Sequence, residues 1–236
     1  MSERKSSRRK KIERPVQNLV PENHSPSATK KPEEKRTVYP TTSVSIVWDS
    51  LNTKRKISDS FRNEMIEYYY TVQKKPDSLY QELASKMEDY PDIQIFYSYL
   101  FTAYHLEEQN DKAIEIANLG AKKFSDSIVG KTLFVEAALL KNDLDGIASY
   151  LDEKYDYRSL FPEKGIYHIF EIIHFNYAIG KFLAQSGDKE GAERCMAEIK
   201  SIDPEHVFIK HLQKVMDKSS GVKFYQKILR RFKKSK

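Results

Sequence analysis

The chain has 236 residues, of which 39% are hydrophobic, 12% aromatic and 31% charged. That is too aromatic for a disordered polymer and too polar for a bundle of membrane helices, so a soluble body with its own core is expected. One cysteine, Cys195, excludes a disulfide framework and a cysteine-built zinc cage, and the net charge of +6 conceals an acidic middle between basic ends.

Residues 1–40 carry 11 Lys/Arg against 5 Asp/Glu and five of the nine prolines, Pro15, Pro21, Pro26, Pro32 and Pro40. Such a stretch buries too little apolar surface to offset its chain entropy, and it is predicted to be a disordered basic tail. Arg8, Arg9, Lys10 and Lys11 are followed by polar sequence rather than a hydrophobic signal core, and no apolar run reaches 18 residues. A cytoplasmic protein is the expectation. Residues 41–59 form a linker or capping segment, with Val44, Val47, Trp48 and Leu51 at helical spacing.

From 60 to 217 the pattern is helical throughout. Phe96, Tyr97, Leu100, Phe101 and Tyr104 recur at spacings of three and four, and Pro76, Pro91, Pro162 and Pro204 mark helix boundaries. Sliding the sequence along itself brings up MEDYPDI, AKKFSDS and KYDYRSL in turn, within which Pro91, Ser125 and Ser159 stand at intervals of 34 residues. A stride of that length points to stacked helix pairs. Tyr97, Leu100, Phe101, Tyr104, Ala113, Ala117 and Ser125 have the same internal spacing as Asn176, Ile179, Gly180, Leu183, Ala192, Met196 and Pro204. Small residues at Ala113 and Ala192 let paired helices approach closely, whereas Leu79 and Ile147 stand there in the other two units. The interval from Ser159 to Pro204 is 45, so about eleven residues are inserted, most economically as a longer first helix spanning Lys164–Gln185.

These two units resemble the tetratricopeptide repeat, whose pattern is W-x2-L-G-x2-Y, then A-x3-F, then P. The resemblance covers about residues 60–206 and implies an α-solenoid of about four helix pairs with helical caps. In that family the first helices line a concave groove that takes a peptide or helix. The groove positions carried onto this chain are Glu64, Tyr68, Thr71, Ser98, Thr102, His105, Thr132, Glu136, Leu139, Tyr177, Lys181 and Ala184. The basic clamp with which some members hold an acidic chaperone tail is missing, since only Lys181 is positive. The lining therefore favours a protein partner with apolar anchors and positive charge.

Residues 218–236 read as a basic amphipathic helix, with Val222, Tyr225, Ile228, Leu229 and Phe232 on one side and Lys227, Arg230, Arg231, Lys233 and Lys234 as electrostatic contacts. Catalytic or metal-binding patterns are thin. His168-x2-Glu171-x2-His174 spreads its side chains over about 120° of a helix, wide for one ion. Cys195 reads as a small apolar filler. No cofactor, metal or small-molecule substrate is expected, and the function expected is that of a non-enzymatic scaffold or adaptor. The alternative is binding of nucleic acid or an anionic membrane surface through the tails.

Overall fold

The computed structural model describes residues 45–47 and 57–219, all within the second of two units into which the chain divides, Tyr39–Lys236. The tail expected at 1–40, most of the segment 41–59, and Lys227, Arg230, Arg231, Lys233 and Lys234 lie outside the described residues.

The elements run β1 (Ser45–Val47), α1 (Asp59–Lys74), a 3-10 turn (Pro76–Leu79), α2 (Tyr80–Asp89), α3 (Ile95–Leu106), α4 (Asn110–Lys123), α5 (Ile128–Leu140), α6 (Leu144–Tyr150), α7 (Tyr157–Leu160), β2 (Ile166–His168), α8 (Ile169–Ser186) and α9 (Lys189–Ile202). A further helix, α10, occupies 207–219. Helices dominate the described residues. Their ends follow local chemistry: Ser58, Ser127, Asp143 and Asp188 each accept a backbone N–H at a helix start. Proline closes α1 at Pro76.

The same turn closes α3, α5 and α8 and, after Asp152 with φ of 51°, also α6, where Glu153 N reaches Ala148 O at 3.2 Å. Glu108, Asn142 and Gly187 have positive φ of 56°, 58° and 96°, and they lie 34 and 45 residues apart. After each, the next N–H reaches back to close the preceding helix: Gln109 N to Tyr104 O at 2.9 Å, Asp143 N to Ala138 O at 2.9 Å, and Asp188 N to Leu183 O at 2.8 Å. The helix that follows places Ala113, Ile147 or Ala192 four residues beyond its cap, and each is fully buried. The most extensive helix contacts join α8 to α9, α4 to α5, and α3 to α4. α8 and α10 meet where Gly180 lacks a side chain: a Cβ there would stand 2.7 Å from Leu212 and 3.2 Å from the Cβ of Cys195.

Three expectations are corrected. Helix α8 begins at Ile169, not Lys164, and its 18 residues exceed the 12 of α3 and 13 of α5. The remaining insertion is the segment holding α7 and β2, and Ser159 falls inside α7 rather than at a boundary between units. Ser45–Val47 is not helical but pairs in parallel with Ile166–His168, Ser45 opposite Ile166 and Val47 opposite His168.

The chain also closes on itself. Tyr69 of α1 donates its hydroxyl to Asp203 Oδ2 at 2.5 Å, and Val207 N donates to Gln73 Oε1 at 3.4 Å. Phe208, Leu212 and Met216 of α10, spaced by four, are all buried.

Candidate functional site

The residues expected to line a groove lie largely in the interior. Tyr68, Ser98, Thr102, Thr132, Glu136, Tyr177 and Lys181 are buried, while Glu64, Thr71 and His105 are partly exposed. With Leu139 and Ala184, nine of the twelve positions are buried and three are partly exposed. The first-helix positions do converge, but the chain supplies its own covering groups, above all Phe208, whose ring stacks on Tyr177 at 3.9 Å and 9°.

At the centre, α5 and α8 bring Glu136 and Lys181 together, with Lys181 Nζ donating to Glu136 Oε2. His174 Nε2 stands 3.5 Å from the other carboxylate oxygen, too far for a strong hydrogen bond. Lys181 Nζ also lies 4.2 Å above the Tyr177 ring, and Tyr177 Oη meets His105 Nε2 at 3.1 Å. Phe101 stacks between His105 and His174, 5.5 Å from each. Thus α3, α5 and α8 are joined by one polar network inside an aromatic shell.

The charges sort by environment. Burial pushes the Glu136 carboxyl up, but Lys181 and His174 overcome it and hold it at about 2. Burial pulls the Lys181 ammonium down, and Glu136 opposes that shift. His105 is pulled down to about 3, by burial first and then by Lys181, and burial also lowers His174. The network is therefore an ion pair flanked by neutral imidazoles. Thr102 Oγ1 and His174 Nδ1 have no hydrogen-bond partner among the described residues.

The three residues of the His168-x2-Glu171-x2-His174 pattern have separate tasks. His168 caps α8, its Nδ1 accepting from Phe170 N at 3.1 Å, and Glu171 completes the box by accepting from His168 N at 3.0 Å. Glu171 also takes Lys164 Nζ at 2.9 Å, while His174 turns to Glu136. Among the described residues, no group of three or more His, Cys, Asp or Glu side chains is placed to hold a metal ion. Cys195 is buried, and burial pushes its thiol up to about 12, far from a reactive thiolate. No described helix is long and apolar enough to cross a membrane.

Sequence reasoning overlooked His206 and the closure it takes part in. His206 caps α10 as His168 caps α8, accepting from Phe208 N at 3.2 Å through Nδ1. A signal was present: His-Ile-Phe at 168–170 and His-Val-Phe at 206–208 share the capping histidine and the aromatic that follows it. No family model, curated protein or solved structure matches the chain.

Proposed function

We propose that this chain is a non-enzymatic protein-interaction module, a cytoplasmic scaffold or adaptor built as a short solenoid of tetratricopeptide-like helix pairs. The observation that carries the reading is the recurrence of one hydrogen-bonded turn at Glu108, Asn142 and Gly187, each followed by a wholly buried residue four places past the cap. A stride of 34, lengthened once by an insertion, accounts for these positions together. Residues that could have suggested catalysis are used instead for capping, as His168 and Glu171 are, or for ion pairing, as Glu136 is.

Apart from His105, the accessible part of the expected groove is on α1, where Glu64 and Thr71 share a face with the exposed Glu67. A partner peptide or helix with basic and apolar anchors suits that face. The test is a complex reconstituted from purified full-length chain and the protein it captures in stoichiometric amount. Glu67→Lys is expected to weaken it at least tenfold with the circular dichroism spectrum unchanged. A complex indifferent to Glu67→Lys, or no stoichiometric partner, overturns the reading.

Charge distribution favours a second reading. Residues 217–236 carry 8 Lys/Arg against one acidic residue, and 41–216 carry 21 basic against 28 acidic. Tails of this kind suit nucleic acid or an anionic membrane, with the helices serving assembly. Binding of that type falls steeply with salt and is lost on removing residues 1–40 and 220–236.

A further inference from the structure

His206 sits where three parts of the chain meet. Its ring is 1% exposed and lies 5.4 Å from Tyr69 of α1, 6.4 Å from Phe170 of α8 and 4.6 Å from Phe208 of α10, between ring centroids. The residues around it make the junction: Asp203 accepts from Tyr69, and Val207 N donates to Gln73 of α1. His206 Nδ1 accepts from Phe208 N, so that nitrogen carries no proton and the ring is the Nε2–H tautomer. Nε2 has no hydrogen-bond partner among the described residues.

We infer that His206 is a proton-operated fastener, whose protonation at Nδ1 opens the junction between α1 and α10 and draws Phe208 off Tyr177. A proton on Nδ1 removes the acceptor that caps α10 and sets a donor against a donor. It also places positive charge at the positive end of the helix dipole, inside an aromatic pocket. The ionisable groups facing the ring are few. Asp203 favours the charged imidazole, His174 of α8 opposes it, the Tyr69 hydroxyl of α1 is neutral, and Lys210 and His211 follow on α10. Burial outweighs Asp203 and holds the closed form at about 4. A freed imidazole titrates near 6.5, so acidification favours the open form. From pH 7.5 to 5 the opening equilibrium rises roughly 30-fold. The inference concerns closure of the chain on itself and does not rest on the partner reading.

Amide hydrogen exchange on the full chain, corrected for intrinsic rates, tests it. In the native chain the opening constants of α10 amides are expected to rise roughly 30-fold between pH 7.5 and 5. His206→Asn, which keeps a capping acceptor but does not titrate, is expected to flatten that rise to below about threefold. Equal pH dependence in the two proteins overturns the inference, as does a flat profile in the native chain. Imidazole nitrogen shifts of the native protein give an independent check. A Nδ1–H tautomer at pH 7, or a folded-state midpoint near 6.5, would also overturn it.

Discussion

Lys181 and Glu136 form an ion pair between α8 and α5 with both side chains shut away from water. Removing one partner strands the other charge, whereas removing both removes the problem. Lys181→Met is expected to cost about 3–5 kcal/mol in urea unfolding, and Lys181→Met with Glu136→Leu to cost clearly less. A double variant as unstable as the single one would mean that the pair contributes through geometry beyond mutual charge compensation.

The buried histidines make the fold acid-sensitive. His206 titrates at about 4 and His105 at about 3 when folded, both below the ordinary histidine value near 6.5. The unfolded chain therefore binds more protons, and stability present at pH 7 is lost as pH falls below about 6.5. Between pH 7 and 5 His206 accounts for about 2 kcal/mol, and the partly exposed His105 for less. Glu136, held at about 2, adds a loss that begins only below about 4.5. Urea midpoints from pH 7.5 to 4 check the sequence of losses, and a midpoint constant down to pH 5 would contradict it.

Much of this arrangement was legible in the sequence, and the reason differs by element. α3, α4, α8 and α9 carry their own spacing, and Asp143 and Asp188 stand at the caps that their turns require. The strand pair was not legible, because Ser45 and Ile166 are far apart along the chain and three residues leave no period to read. The positions expected to line a groove could be placed on their helices from the sequence, but what packs over them could not. Stacking of Phe208 on Tyr177 and the reach of Asp203 to Tyr69 depend on how α1 and α10 come together. Local pattern does not encode that.

Three of the left-handed turn residues offer a clean comparison. Glu108 and Asn142 have side chains in a region that glycine occupies without cost, whereas Gly187 already is glycine. Glu108→Gly is expected to stabilise by about 0.5–1 kcal/mol, Asn142→Gly by less, and Gly187→Ala to destabilise by about 1 kcal/mol. Thermal or urea unfolding of the three variants decides it, and a loss of stability on Glu108→Gly would show that its side chain outweighs the backbone preference.

Tyr69 tests how firmly the first helix is tied to the last. Its hydroxyl donates to Asp203 at 2.5 Å, and its ring packs on Phe170 and His206. Tyr69→Phe keeps the ring and deletes the charged hydrogen bond, with an expected cost of about 1–2 kcal/mol at this partly exposed acceptor. Exchange should quicken for amides of α1 and for residues 203–208 before it quickens in α8 and α9. Uniform acceleration throughout would mean that the tie contributes to global rather than local stability.

Ala113, Ile147 and Ala192 occupy the same place after their caps, yet one of them is large. If the helix pairs are variations on one unit, each site must be packed to its own volume, α4 and α9 lying close to their neighbours and α6 farther away. Ala113→Leu and Ala192→Leu are then expected to cost about 2–3 kcal/mol each through overpacking. Ile147→Ala is expected to cost about 2–4 kcal/mol through the cavity it leaves, and Ile147→Leu less than about 1.5 kcal/mol. Free tolerance of leucine at either alanine, measured by urea unfolding, would show that close approach there is not required and would remove the physical basis for treating the two positions as equivalent.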